Sequence, residues 1–566
     1  MNGAHDPFVR PWTAWAEGSA VAAVSLALLI GMVRAVAGGW TPVSDDAFIE
    51  LLTRDVPAHL PLTGVYSRYG WSHPGPALFW GLSVPYRLSG AASVALLVAA
   101  MLGHLAAVLG AWWVARRMDR LTGLLVLCGA AAVLVSTEPE VLRSPWNPYV
   151  GLVGSALLVV LAWSAASRGR AGLVGLLPVG TLLVQSHVVT APMVVATTGV
   201  ALLLALVPAG GRDRPSWDAA RLRSAALGGA VTALMWLPPL VEQVTRDPGN
   251  LSELLARSGT GSPVGFGTAA ATMSQAFAAL PSVLDPARVT DAFLPIDPTA
   301  PWWLAVPTIG LVMAARHGDR VHLRGLAVAA GALLGSLLGI AMISDALYGY
   351  LATWSRGVVV VTLALGAGAA LGRAAPRTRA VAFAAAATVT VVASLVIGAR
   401  QIGADNPQGA YGATVDALAR SVPPPGAGAP VLSVDAVADV QASEVAAGLL
   451  LRLERNGHRV TSRTFDANRI GAHRHEREPE RLLVVAPLGQ AQRLEDEGWE
   501  VLGAYQPLSR GEAERADALL RALAELPEPR TDEERIENFR RATELSEEFE
   551  SLTAGRVPML VAQRPA

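Results

Sequence analysis

"GSAVAAVSLALLIGMVRAVAGGWTPVSDDAFIELLTRDV", residues 18–56, changes character half-way along. Residues 18–38 are a largely apolar run whose only charged residue is Arg34, long enough for the roughly 20 residues a helix needs to cross a bilayer core. No cleavage pattern follows, so the run reads as a retained helix and not a signal peptide. Ser44, Asp45 and Asp46 then open an amphipathic stretch. Ser44 is placed to cap that helix, and acidic residues suit the dipole of its first turn. A cap accounts for one carboxylate and leaves the second to be explained.

The same alternation of apolar run and polar seam continues outward from this point. The 566 residues are 52% hydrophobic and 16% charged, against about 25% charged in soluble domains. Apolar stretches recur at 91–114, 121–137, 150–166, 171–187, 191–208, 224–241, 301–315, 326–343, 357–373 and 380–398, which with 18–38 predicts about eleven transmembrane helices. The segment 76–88 is apolar but too short to count. Every one of the 45 basic residues is arginine. With the N-terminus in the cytoplasm, one set of turns carries Arg116, Arg117, Arg120, Arg168, Arg170, Arg212, Arg214, Arg221, Arg223, Arg316, Arg320, Arg324, Arg373, Arg377 and Arg379. The short turns opposite hold only Arg143 and Arg356. This asymmetry predicts a plasma-membrane protein whose acidic pair and C-terminal region both lie outside the cytoplasm.

Residues 1–400 are therefore expected to form a polytopic membrane domain with large outer loops at about 39–90 and 242–300. Pro423, Pro424, Pro425 and Gly426 mark a linker at 401–428, and 429–566 regain soluble charge density. There "PVLSV", "RLLVVAP", 499–506 and "VPMLVAQ" read as strands, alternating with helical runs at 442–455, 510–526 and 531–551. The expectation is a small extracytoplasmic α/β domain without a nucleotide-binding glycine fingerprint. Its "HRHER", residues 473–477, reads as a solvated polar loop. A net charge of −1 gives no footprint for nucleic acid, and the single Cys128 excludes an intrachain disulfide.

Polar residues suited to chemistry gather at the expected outer boundary. Arg68, Tyr69, Trp71 and His73 fall within six residues of the first loop, followed by Pro74-Gly75-Pro76. Arg143 sits beside Trp146 and Asn147, Arg356 lies in "YLATWSRG", and His187 ends an apolar run. Arginines there suit an anionic phosphate or snorkel to headgroups. Trp40, Trp71, Trp146, Trp236, Trp302, Trp303 and Trp354 read chiefly as an interfacial belt, while Tyr348 and Tyr350 suit stacking on a sugar or anchoring. Glu242 follows "WLPPLV" and either lines a cavity or marks a helix end. Arg34 and His104, ionisable groups inside apolar spans, are functional candidates by default.

The acidic pair directly after the first span, the long outer loop and "SHPGPALFW" at 72–80 together resemble the glycosyltransferase C superfamily. Its members are multispanning enzymes using polyprenyl-phosphate sugars, such as protein mannosyltransferases, aminoarabinose transferases and arabinofuranosyltransferases. The resemblance covers roughly 1–400, mostly as architecture. It implies an inverting hexosyl- or pentosyltransferase that moves a sugar from a polyprenyl-phosphate donor to an envelope glycan, glycolipid or protein hydroxyl. Asp45 and Asp46 are then the catalytic residues, with Asp45 favoured as base, and Arg68, Tyr69, His73, Arg143, Asn147, His187 and Arg356 hold donor phosphate and sugar. No cofactor is implied beyond a divalent cation, optional in the superfamily, for which Asp45, Asp46 and His73 would be the ligands. The competing readings are a transporter or flippase of lipid-linked precursors, against which no internal symmetry is found, and a noncatalytic envelope-assembly protein.

The arginine asymmetry generates a direct prediction. Alkaline-phosphatase fusions after Arg400 should be active and fusions after Arg324 inactive, and the reverse pattern would put the acidic pair in the cytoplasm.

Overall fold

A computed structural model describes residues 11–206, 216–257, 261–278, 304–344, 347–527 and 532–566. It divides into two compact units, one taking in the chain to Gly38 and Leu60–Asp405, the other Gly39–His59 and Asn406–Ala566. Trp302, Trp303 and the later part of the long loop expected at 242–300 lie outside the described residues.

The first unit is helical. Each of the eleven apolar stretches contains a helix, but among the described residues only seven are long and apolar enough to cross a bilayer. These are Trp12–Gly38, Val94–Met118, Asn147–Ala166, Val188–Leu206, Ala219–Thr245, Arg320–Ala341 and Pro376–Gly403. Arg120–Val135, Arg170–Ser186 and Ser355–Leu371 are apolar but shorter, and Ala305–His317 shorter still. Sixteen residues at Arg120–Val135 rise only about 24 Å, less than the ~30 Å core. The count of eleven full spans is not reached on length.

Small residues bring these helices together, as they must where lipid supplies no hydrophobic drive. A Cβ at Gly366 would lie 2.7 Å from Pro307 Cα, and one at Gly335 2.7 Å from Met193 Cα. Arginine-bearing turns are closed by aspartates: Asp119 accepts from Thr122 N (2.8 Å), Asp218 from Arg221 N (2.8 Å) and Asp319 from His322 N (3.1 Å). Each satisfies amides left open at a helix start. Buried Glu17 ties the first helix to the same level through Arg116 (3.0 Å), Arg120 (2.9 Å) and Trp112 (3.1 Å). Trp354, expected in an interfacial belt, is instead fully buried, its indole donating to Leu351 O at 2.8 Å.

The second unit carries a five-stranded sheet in the order β2-β1-β3-β5-β4. Its strands are β1 (Leu432–Ala436), β2 (Val460–Thr461), β3 (Arg481–Pro487), β4 (Glu500–Tyr505) and β5 (Met559–Pro565). β1 runs parallel to β2 and β3, and β5 runs antiparallel between β3 and β4. Val440–Arg455 is buried between this sheet and a segment from far upstream, the helix Ser44–Asp55. Val43, Phe48 and Leu51 are buried in the same core as Val445, Leu449 and Leu450, and Phe48 meets Phe465 edge-on at 5.0 Å. Burying those three side chains stabilises the docking by roughly 5–9 kcal/mol as an upper bound. Gly409–Ser421, expected inside a linker, is a helix that buries Val415, Leu418 and Ala419 here.

Two local readings are corrected. Ser44 does not cap its helix: Val43 holds the cap position with no side-chain bond, and Ser44 itself takes a φ of +52°. "HRHER" is solvated only in part: His475 and Glu476 are exposed, and Arg474 between them and His473 is buried. Arg474 is 2% exposed and donates to both oxygens of Asp55 (2.9 and 2.8 Å) and to Glu454 (2.9 Å). Neighbouring His473 stacks on His59 at 3.8 Å, and Arg455 pairs with fully buried Glu50. The polar face of Ser44–Asp55 is thus bound by charge, as its apolar face is by packing.

Removing one partner of a buried ion pair typically costs about 3–5 kcal/mol. Arg474→Met should destabilise the second unit on that scale by stranding Asp55 and Glu454. Replacing Asp55 by Leu in the same chain should recover part of the loss, as read by chaotrope unfolding. An unaffected Arg474→Met variant would show that packing alone docks the helix.

Candidate active site

Residues 64–73 form a tight hairpin in the first unit. Gly64 N donates to His73 O (2.8 Å), His73 N to Val65 O (2.9 Å) and Ser67 N to Trp71 O (2.8 Å). Gly70, at φ +80°, closes the turn by donating to Ser67 O, a conformation open to glycine at no steric cost. A Cβ at Gly64 would lie 2.9 Å from Gln185 O, so only glycine lets the hairpin settle against the end of Arg170–Ser186. Asn250 clamps the return arm like a missing strand: its Oδ1 accepts from Ser72 N and its Nδ2 donates to Ser72 O, both at 2.9 Å. Glu242 holds Asn250 in turn, accepting from Asn250 N at 2.9 Å. Asn250 escaped sequence reasoning, since nothing near it in the chain signals a partner at residue 72.

Alternate side chains of that arm build an aromatic row. Tyr69 stacks on Trp71 (6.0 Å), Trp71 meets His73 edge-on (5.4 Å), and His73 meets His187 edge-on (5.4 Å). At the turn Arg68 donates to the Tyr69 hydroxyl (2.7 Å) and lies 4.3 Å over the Tyr348 ring. Tyr348 stacks on Tyr350, which adjoins Trp146 at 4.7 Å. The structure thus brings Arg68, Tyr69, His73 and His187 together with Trp71, Trp146, Tyr348 and Tyr350. Burial, with His187 adding to it, holds the His73 pKa well below the usual histidine range.

Two expected site residues serve the scaffold. Arg143 is 1% exposed and donates to Gln401 Oε1 (2.9 Å), Gln401 O (2.6 Å), Ala404 O and Asp405 O (3.1 Å each). Those bonds satisfy carbonyls at the end of Pro376–Gly403 and engage most of its five N–H groups with the scaffold. Asn147 is buried and donates to Ser186 O at 2.8 Å. Arg356, half-buried in the first turn of Ser355–Leu371, has no side-chain hydrogen bond or ion pair among the described residues. Nearby in the unit, an apolar cavity of about 550 Å³ is bounded by Ala77–Leu88, Val94–Met118, Gly151–Ala166 and Arg170–Ser186 and includes His104 in its lining.

The acidic pair belongs to the second unit. Asp46 is 6% exposed, whereas Asp45 is half-buried. Burial, then the nearby Asp45 and Asp439 carboxylates, push the Glu444 pKa up to about 7. Among the described residues no group of three or more His, Cys, Asp or Glu is arranged to hold a metal.

No family model matches the sequence, and no curated protein matches it. Solved structures do. ArnT from Cupriavidus metallidurans, both with undecaprenyl phosphate bound and in the apo state, superimposes with a TM-score of 0.52 over 86% of this chain and 96% of that one. The fold is ArnT-like. At 15% identity the likeness is one of architecture, and with the apolar helices it makes this chain a multi-pass membrane protein. The ArnT-like match extends well past residue 400, since 86% coverage cannot be met by the helical unit alone.

Glu444 gives a pH signature for the neighbourhood of Asp45. The folded chain holds this proton more tightly than the unfolded one, whose carboxyl titrates near 4.5. The stability it contributes is therefore complete below that value and is lost as pH rises through about 7. Glu444→Gln should flatten the fall in unfolding midpoint between about pH 5 and pH 8. An identical fall in both proteins would remove Glu444 as its source.

Proposed function

We propose that this protein is an inverting glycosyltransferase moving a sugar from polyprenyl phosphate to a hydroxyl of an envelope glycan, glycolipid or protein on the outer face of the plasma membrane. The observation that carries the reading is the ArnT-like fold, shared with a structure solved with undecaprenyl phosphate bound. The arginine asymmetry of the turns supports the outer placement, and the aromatic row supports a carbohydrate ligand.

The chemistry assigns one role to each kind of side chain. The acceptor oxygen bonds to the anomeric carbon as the bond from that carbon to the phosphate oxygen breaks, and the lipid phosphate leaves with the electron pair. Arg356, lacking a protein partner among the described residues, and Arg68 stabilise the growing phosphate charge. The acceptor proton passes to Asp45, the more exposed carboxylate of the pair, while buried Asp46 keeps the helix start in place. Displacement by the acceptor opposite the leaving phosphate inverts the anomeric carbon.

Purified protein incubated with a panel of polyprenyl-phosphate sugars and envelope acceptors tests the reading by product linkage analysis. Asp45→Asn should lower turnover by about 10²- to 10⁴-fold with donor binding retained, and Asp46→Asn should act mainly on stability. Arg356→Ala should weaken donor use by roughly 10- to 150-fold. Wild-type transfer rates in both aspartate variants would leave the reaction without its base, and movement of lipid without sugar transfer would make the protein a carrier instead.

A further inference from the structure

We propose that His73 and His187 form a hydroxyl-binding pair, one ring preset as donor and the other as acceptor by the backbone, and that this pair receives a sugar hydroxyl and not the lipid phosphate. That the hydroxyl belongs to a sugar rests on the transferase reading. The donor–acceptor assignment stands on geometry alone.

A histidine ring with one proton has one donor and one acceptor nitrogen, and a neighbour that can only donate or only accept fixes which is which. Val188 N donates to His73 Nδ1 at 3.2 Å. A backbone N–H cannot accept, so Nδ1 holds the lone pair and the His73 proton sits on Nε2. At His187 the partner is the Leu351 carbonyl, 3.4 Å from Nε2. A carbonyl cannot donate, so His187 carries its proton on Nε2 and its lone pair on Nδ1. That Nδ1 is buried and has no hydrogen-bond partner among the described residues, and His187 is 3% exposed. The His73 side chain bonds through Nδ1, and its Nε2 has no protein partner among the described residues. The ring centroids are 5.4 Å apart and the rings meet edge-on at 60°.

The two nitrogens ask for a group that accepts from one side and donates to the other. A phosphate oxygen satisfies His73 Nε2–H but faces the lone pair of His187 Nδ1. An ammonium satisfies His187 but faces the His73 N–H. A hydroxyl does both. Burial of His73 keeps its ring uncharged, in keeping with a neutral ligand. Trp71, edge-on to His73, and Tyr69 stacked beyond it extend an aromatic wall from the pair, suited to the C–H face of a sugar ring. Of the two partners the sequence offered His187, donor phosphate and sugar, this assigns the sugar.

Crossed isosteres separate this role from a scaffold role, because an asparagine amide reaches the place of Nδ1 and a glutamine amide the place of Nε2. His73→Gln keeps the ligand donor and loses the Val188 bond, whereas His73→Asn does the opposite. His187→Asn keeps the ligand acceptor and loses the Leu351 bond, whereas His187→Gln does the opposite. The full-length chain is assayed for binding of undecaprenyl phosphate, bare and carrying arabinose or mannose, and for the KM of a set of octyl glycoside acceptors. His73→Asn and His187→Gln should weaken one sugar-bearing ligand by about 5- to 150-fold with bare undecaprenyl phosphate unchanged, and His73→Gln and His187→Asn should retain it. Loss confined to the lipid-linked sugar assigns the hydroxyl to the donor, and loss confined to KM assigns it to the acceptor. The opposite isostere pattern, no separation between isosteres, or a parallel loss of bare lipid phosphate overturns the proposal while leaving transfer itself intact. A wild-type chain that neither binds nor transfers any of these sugars overturns the transferase reading, and the sugar assignment with it.

Discussion

The guanidinium of Arg474 joins Asp55 and Glu454 in a site 2% exposed, and the placement of the acidic pair depends on that contact. Burial works against the arginine's charge, but the two carboxylates outweigh it and raise its pKa, so the cation is retained. A buried pair of this kind contributes little net stability over apolar packing, yet an unpaired member is strongly unfavourable. Its effect is one of specificity. Ser44–Asp55 also carries Glu50 against Arg455, so sliding or rotating the helix would strand several buried charges at once. Asp45 and Asp46 are held at the start of a helix fixed in register at its far end.

In the helical unit the comparable constraint is the backbone of the 64–73 hairpin. Asn250 pairs with Ser72 through both halves of its amide, and Gly64 gives the close approach to Gln185. The consequence is chemical as well as mechanical. The chain that positions His73 and His187 also supplies Val188 N and the Leu351 carbonyl, which choose the tautomer of each ring. Aromatic side chains along the return arm then extend from a pair of neutral, polarised groups. A charged arginine remains at the rim in Arg68, stacked over Tyr348.

Some of this was legible in the sequence because it follows local rules. Long apolar runs with arginine seams read as membrane helices, and the strands of the C-terminal sheet read as short apolar runs between helical ones. The clustering of Arg68, Tyr69, Trp71 and His73 was visible because a hairpin arm brings near neighbours together. What local pattern misjudged were residues whose partners lie far away. Arg143 looked like a phosphate ligand because arginine is rare in the short turns around it, yet its bonds run to Gln401, Ala404 and Asp405. "HRHER" looked solvated because its buried partner, Asp55, is 419 residues from Arg474. Ser44 looked like a cap because sequence gives residue type but not φ.

The sequence by itself determined the solvent each segment must face: hydropathy and charge are additive over neighbouring residues, so a span, a boundary or a soluble sheet can be read where it stands. Tertiary structure alone decided which polar groups are already satisfied. A hydrogen bond or ion pair needs two groups within about 3 Å, and no property of Arg143, Arg474 or His187 taken alone records whether its partner has been brought there. That is why residue types announced a polar, aromatic, arginine-bearing site, and only the fold separated the arginines that hold helices from Arg356, and set one histidine as donor beside another as acceptor.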